Sequence, residues 1–303
     1  MSNSLKDKVA VVTGSGRGLG RSEALLLAAE GARVVVNDLG GNPDGAGASR
    51  SPADDVVAEI GKQGGQAVAN YDSVATPKGA EAIIKSAIDA FGRLDILVNN
   101  AGILRDRMIF NMSDEEWDAV MKVHLYGHYY TTKNACILFR QQRSGRIVNT
   151  SSESGLGNMG QANYSAAKEG IIGLTRTVAR DMGRYGVTCN AIRPRADTRL
   201  TLTAQVLQAR EQRIAAGLDR PTEEWQRSPD AVAPLVVWLC TEAASEINGC
   251  SFVVRGSYIG LYQEPVLART LYKRAGIWTV PELCDAMPTA LTAGLVNPSP
   301  PKQ

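Results

Sequence analysis

The stretch "KVAVVTGSGRGLGRSEALLLAAEGARVVVND" (residues 8–38) decides the fold. Residues 8–14 are a short β-branched run without polar alternation, the pattern of a strand buried on both faces. Residues 20–32 carry helical periodicity and stop at Gly31, and residues 33–38 form a second buried strand that ends in an acid. Strand, glycine-rich turn, helix and strand in this order make a parallel βαβ unit. The turn "TGSGRGLG" (13–20) sits where the first strand meets the first helix. Gly14, Gly18 and Gly20 let the backbone turn tightly and approach a pyrophosphate, while the helix N-terminus offers free N–H groups to the negative charge. A glycine pattern alone is weak. The strand before it, the helix after it and the acid closing the second strand make this one specific.

That acid is Asp38. A carboxylate there accepts hydrogen bonds from both adenosine ribose hydroxyls and repels the extra phosphate of NADP. Arg17, in the loop itself, pulls toward that phosphate. Because Asp38 lies directly at the ribose, NAD is expected rather than NADP.

Beyond residue 38 the alternation continues. A Gly-, Pro- and Ser-rich loop (39–52) precedes a helix at 53–64, a strand at 66–72, a helix at 79–92 and a strand at 94–102. A long helical segment at 113–140 opens with Ser113 and Glu116 in capping-box spacing. A strand at 145–152, a helix and a strand at 186–194 follow. The helix after "GRIVNTSS" carries "NYSAAKEG" (163–170), in which Tyr164 and Lys168 lie one helical turn apart and share a face.

Bulk properties exclude several classes. The chain has 303 residues, a net charge of +2 and no long basic run, the nearest being Arg193, Arg195 and Arg199, so no nucleic-acid partner is expected. Five scattered cysteines and two histidines, with no CxxC, argue for a reducing compartment and against a zinc site. The N-terminal "MSNSLKDK" is not a signal peptide, no apolar run reaches the ~18 residues of a membrane helix, and "SPPKQ" is not a Ser-Lys-Leu-type tail. No membrane partner and a cytoplasmic location are therefore expected.

"TGSGRGLG", "NNAG" (99–102) and "YSAAK" (164–168) together resemble the markers of the short-chain dehydrogenase/reductases over about residues 6–256. "VVVNDLGG", "ANYDSV", "NNAGILRDR", "VHLYG" and "GQANYSAAK" further resemble the (3R)-hydroxyacyl-CoA dehydrogenase part of peroxisomal multifunctional enzyme type 2. "NMSDEEWDAV", "NTSSESGL" and "RPRADT" resemble actinobacterial relatives that act on steroid side-chain CoA thioesters or 17β-hydroxysteroids.

The resemblance implies an NAD-dependent conversion between a secondary alcohol and a ketone, with Tyr164 as the general acid/base. A free phenol has a pKa near ~10 and is a poor base at neutral pH. The Lys168 ammonium and the positive nicotinamide of oxidised NAD both favour the phenolate, and a drop of about three units takes roughly 4 kcal/mol. Lys168 would also hold the nicotinamide ribose. The family's substrate-holding serine is open between two positions. The usual spacing of thirteen before the tyrosine selects Ser151, whereas strand register selects Ser152 with a one-residue deletion in the following loop. A loop absorbs a deletion and a strand does not absorb a slip, so Ser152 is preferred. The family's usual helix asparagine is here His124, either a relay member or a packing residue. Arg17 and Leu19 join Gly14, Gly18 and Gly20 in the cofactor set implied. Asp72 and Ser73 border the adenine, Asn99, Ala101 and Gly102 lie under the cofactor, and Thr198 meets the carboxamide.

The expected fold is α/β: a single Rossmann-type doubly wound parallel sheet with helices on both faces. It spans residues 1–256, with a lid at about 199–228, and carries a C-terminal extension (257–303) packed on its own domain or a neighbouring subunit. The favoured substrate is a 3-hydroxyacyl-CoA, which includes steroid side-chain thioesters. Alternatives are a 17β-hydroxysteroid, a 3-oxoacyl-carrier-protein and, least favoured, NAD binding without turnover. A homodimer or homotetramer is implied by the family.

Overall fold

The computed structural model describes residues 3–202, 204–217 and 223–298. Residues 203 and 218–222 of the expected lid, and residues 299–303 of the expected extension, lie outside the described residues. Eight strands form one sheet: β1 (Val9–Thr13), β2 (Arg33–Asn37), β3 (Ala67–Asn70), β4 (Ile96–Asn99), β5 (Gly145–Thr150), β6 (Val187–Pro194), β7 (Ser251–Arg255) and β8 (Tyr258–Leu261). Their spatial order is β3-β2-β1-β4-β5-β6-β7-β8. The first seven run parallel, and β8 pairs antiparallel with β7. The helices are α1 (Gly18–Ala29), α2 (Ser51–Lys62), α3 (Pro77–Phe91), α4 (Asp114–Met121), α5 (Gly127–Gln142), α6 (Ala162–Gly183), α7 (Ala204–Ala215), α8 (Ala233–Leu239) and α9 (Val280–Ala286).

The period of two along a strand divides the core. In β1, Val9 and Val11 join a cluster with Ile83 of α3 and Phe139 of α5, while Ala10 and Val12 join another with Leu27 of α1, Ile60 of α2 and Val236 of α8. All five residues of β1 are buried, which is why the strand reads as a continuous apolar run. The strand order reverses between β1 and β4, and a crevice opens there at the carboxyl ends of the strands.

Local signals hold where they were clear. The Ser113–Glu116 capping box forms, with the Ser113 hydroxyl accepting from Glu116 N and the Glu116 carboxylate from Ser113 N. The helical segment it opens is not uniform, because residues Lys122–Tyr126 between α4 and α5 form a π turn that carries His124. Residues 229–256, whose pattern announces neither strand nor helix, contain α8 and β7. The sheet also passes the expected boundary at 256. The "RGSY" run makes a two-residue hairpin turn, and β8 pairs Val253 with Gly260. A glycine-serine turn between two apolar runs was the available signal.

The chain divides into two compact units, Met1–Tyr262 and Gln263–Gln303. Within the second, α9 starts with a capping box between Thr279 and Glu282, and Lys273 pairs with Glu282 at 2.7 Å. Leu267, Tyr272 and Ile277 of this unit are exposed. Among the described residues no helix is long and apolar enough to cross a membrane.

Candidate active site

The crevice between β1 and β4 is built chiefly by backbone. Gly14 (φ 64°) and Gly18 (φ 55°) occupy the left-handed region that other residues avoid. A Cβ on Gly14 would also sit 2.7 Å from the Ala101 Cα. Among the described residues α1 has no side-chain cap, and its first turn holds no acid. Its first amides therefore lack a side-chain acceptor and suit an anionic diphosphate. Gly14, Arg17, Gly18, Leu19, Asp38, Asp72, Ser73, Ala101, Gly102 and Thr198 line one continuous crevice.

Asp38 is fixed in its wall. Its Oδ2 accepts from Gly16 N at 2.7 Å and its Oδ1 from Gly40 N at 2.6 Å. Each oxygen keeps a lone pair for a further donor such as a ribose hydroxyl. Arg17 lines the same crevice, and so does Arg199, whose Nη1 donates to Gly41 O at 2.8 Å. These residues fit a nicotinamide dinucleotide: glycine turns and bare helix amides for the diphosphate, a carboxylate for the ribose.

Two expected contacts lie elsewhere. Gly20 sits beneath the turn, where a Cβ would lie 2.4 Å from Asn100 Nδ2 and 2.5 Å from Gly14 O. Asn99 is fully engaged inside the fold. Its Nδ2 donates to Thr132 Oγ1 and Asn149 Oδ1, and its Oδ1 accepts from Thr131, so its side chain ties β4 to α5 and β5. Asn100, the next residue in the "NNAG" run, lines the crevice and ties β4 to β1 through Thr13 O and Gly14 O.

The catalytic candidates come from β5 and α6. Ser152 lies near enough to the Tyr164 phenol to lower its pKa, and its hydroxyl accepts from Ser154 N at 3.1 Å. Ser151 is buried, and its hydroxyl donates to the Lys168 carbonyl at 2.7 Å. The two serines thus point to opposite tasks, one toward the phenol and one into the packing of α6. Lys168 is almost fully buried and donates from Nζ to Thr150 O at 2.6 Å. The ammonium lies 5.3 Å from the Tyr164 ring centroid, over the ring face.

This geometry corrects the electrostatic expectation. Among the chain's own groups, burial dominates and pushes Tyr164 up to about 12, with Ser152 opposing it. Burial also brings Lys168 down to about 7. Among the chain's own groups the lowering of Tyr164 comes from Ser152, while Lys168 Nζ gives one of its N–H groups to Thr150 O.

His124 packs rather than faces solvent. Its Nε2 lies 2.8 Å from Ile103 O and 3.1 Å from Ile103 N, and its ring meets Tyr164 edge-on at 5.1 Å between centroids. His128 Nδ1 lies 2.7 Å from the His124 carbonyl. Burial lowers both histidines, His128 to about 3, so both rings are neutral. Together they hold the π turn against the loop that follows "NNAG".

The architecture has known counterparts. The short chain dehydrogenase family model matches residues 8–210. A hydroxyacyl-CoA dehydrogenase of Mycobacterium tuberculosis is 46% identical over 304 residues, covering 96% of this chain and 88% of that protein. Peroxisomal multifunctional enzyme type 2 of Mus musculus is 48% identical over 269 residues, which cover 88% of this chain and 34% of that longer protein. Among solved structures, a short chain dehydrogenase from Mycobacterium avium superposes with a TM-score of 0.79 at 43% identity, covering 95% of this chain and 96% of that one. The chain belongs to the short-chain dehydrogenase family and is an oxidoreductase of that type, using a nicotinamide dinucleotide to interconvert an alcohol and a ketone.

Proposed function

We propose that the chain is an NAD-dependent (3R)-hydroxyacyl-CoA dehydrogenase, with steroid side-chain thioesters among its substrates. The observation that carries the reading is the similarity, along nearly the whole chain, to a hydroxyacyl-CoA dehydrogenase, joined to a Ser152–Tyr164–Lys168 group beside a dinucleotide crevice. The seating of Asp38 supports NAD over NADP, since a carboxylate held by two backbone amides has no slack to swing away from a ribose phosphate. An apolar ledge supports a lipid-like substrate. Met108, Ile109 and Phe110 are exposed, as are Leu156 and Met159 on the neighbouring loop, and the two segments are joined by Arg107 N donating to Gly160 O at 2.7 Å.

A bound nicotinamide ring supplies the hydride acceptor in oxidation and the donor in reduction. The chain's own groups handle the proton. Ser152 holds the substrate oxygen, and Tyr164 takes the hydroxyl proton as the alcohol is oxidised and returns it in reduction. Lys168, fixed by Thr150 O, presents its remaining N–H groups to the cofactor ribose. A phenol near 12 is a strong enough acid only when further positive charge reaches it, and the oxidised nicotinamide carries that charge.

The exposed Trp117 of α4, with Tyr129 and Ile137 of α5, supports assembly as a homodimer or homotetramer through this face. The exposed apolar residues of the extension support its packing against a protein surface, and five unpaired cysteines support a cytoplasmic location. The deciding experiment follows NADH consumption with a 3-oxoacyl-CoA, with NADPH in parallel and Tyr164→Phe as control. Turnover with NADH that disappears in the variant is expected. Turnover only with free 17-oxosteroids or with an acyl-carrier-protein thioester would transfer the reading to those substrates. Light scattering in solution tests the assembly, and truncation at residue 262 tests the extension through melting temperature and KM.

A further inference from the structure

The basic block Arg193, Arg195 and Arg199 is not a uniform solvated patch, because Arg193 is only 3% exposed. It lies near the end of β6, and all parts of its guanidinium are engaged. Nη1 donates to the Ser152 carbonyl at 2.8 Å, Nη2 to Glu169 Oε2 at 2.8 Å, and Nε to Ser251 Oγ at 3.3 Å. Its outer face is covered by the Tyr262 ring, 5.0 Å from the guanidinium carbon to the centroid, and the Tyr262 hydroxyl donates to Glu153 Oε1 at 3.3 Å. Gly155 leaves the room this requires: a Cβ there would lie 2.8 Å from Glu169 Oε2 and 3.1 Å from Arg193 Nη1.

We propose that Arg193 is a positioning residue that holds Ser152 by its carbonyl and so aims the serine hydroxyl at Tyr164. The inference rests on the reading of Ser152 and Tyr164 as the pair that meets the substrate oxygen. Ser152 lies two residues beyond the end of β5 and caps a short 3-10 turn at residues 153–156, with its hydroxyl accepting from Ser154 N at 3.1 Å. It is thus held by the sheet on one side only. Arg193 supplies the second hold from the neighbouring strand, and Glu169, adjacent to Lys168 on α6, fixes the guanidinium in turn. One planar fork thereby links β6, the serine turn and the catalytic helix. A lysine, with one nitrogen, cannot span Ser152 O and Glu169 together.

The groups that face the Tyr164 phenol are Ser152, Lys168 and His124, with Asp106 acting on it from the neighbouring loop. Of these Ser152 lowers its pKa, so loosening the serine moves the phenol upward. The test is a double-mutant cycle with Arg193→Met, Arg193→Lys and Ser152→Ala. Three quantities are measured: kcat for NADH-dependent reduction of a 3-oxoacyl-CoA, NADH affinity by fluorescence, and the ultraviolet titration of Tyr164 as the difference from matched Tyr164→Phe proteins. Arg193→Met should lower kcat about tenfold, leave NADH affinity within about twofold, and raise the Tyr164 titration. In the Ser152→Ala background the same substitution should add almost nothing to either effect. Arg193→Lys should fall between. Equal losses with and without Ser152, or an unmoved Tyr164 titration, would overturn the proposal. If Arg193→Met does not fold, Arg193→Lys and Glu169→Gln complete the same cycle. The titration needs no turnover, so a wild-type chain inactive on 3-oxoacyl-CoA defeats the proposed substrate while leaving the Arg193 question answered.

Discussion

The dinucleotide crevice and the Ser152–Tyr164–Lys168 group, the two ends of the candidate site, are built from different materials. The dinucleotide end is made of backbone: positive-φ glycines, uncapped helix amides and a carboxylate seated on two N–H groups. The catalytic end is made of side chains whose ionisation burial has moved far from ordinary values, Tyr164 to about 12 and Lys168 to about 7. The first end presents backbone N–H groups suited to an anionic ligand. The second holds its groups in an unfavourable environment that the rest of the fold sustains, which is a common cost of a functional site.

The largest effect should come from removing the proton carrier. Tyr164→Phe is expected to lower kcat by about 10³-fold or more while NADH binding persists, as steady-state kinetics and fluorescence titration would show. Loss of binding as well would mean the two ends are not separable. Lys168→Met should lower kcat by about 10²-fold and yet stabilise the fold at low pH. The sign follows from linkage: a lysine with a depressed folded pKa costs stability in full below about 7, and the cost fades as pH rises toward the unfolded value of about 10.5. Denaturation of the variant against wild type should therefore show a larger gain at pH 6 than at pH 9. A gain that is equal at both would contradict the buried-cation picture.

The adjacent serines sharpen the comparison within the catalytic end. Ser152→Ala should lower kcat by about 10²-fold and shift the rising limb of alcohol oxidation to higher pH, since the serine opposes the upward push on Tyr164. Ser151→Ala should leave kcat near wild type and cost about 1 kcal/mol of stability through the lost bond to the Lys168 carbonyl. Reversed effects would reassign the catalytic serine. At the dinucleotide end, Gly16→Ala would bring a Cβ to 2.8 Å from Asp38 Oδ2, and NADH affinity should fall about tenfold with kcat little changed.

The smallest effect concerns the exception at this end. Glu23 on α1 is completely buried with neither oxygen partnered among the described residues, and burial pushes it up to about 8. The folded state therefore holds a proton that the unfolded state releases, so stability should decline as pH rises from about 4.5 through 8. Glu23→Gln should flatten that decline and raise stability at pH 8 by about 1 kcal/mol, measurable in urea. An unchanged slope would remove Glu23 from the account.

Much of the dinucleotide end was legible in the chain because its signals are local. Glycine spacing and the strand-ending Asp38 act within a few residues of where they are read. The Tyr164–Lys168 pair was legible for the same reason, being one turn of one helix. Asn99 misled because both asparagines of "NNAG" look equal in sequence, and only the pleat of β4 sends one inward and the other to the crevice. Strand β8 was overlooked because it follows a proline-free, weakly alternating run that reads as extension until β7 is in place beside it.

By itself, then, the sequence determined the βαβ order, the glycine turn at the head of α1, the acid just after β2 and the helical tyrosine–lysine pair, all through contacts between near neighbours. Only the tertiary structure decided that Ser151 turns into the packing of α6, that Lys168 is anchored on Thr150 O, and that Arg193 is buried behind the serine turn. Those outcomes depend on which way side chains point where β5, β6 and α6 converge. That direction is set by register and burial among residues far apart in the chain, which no local pattern encodes.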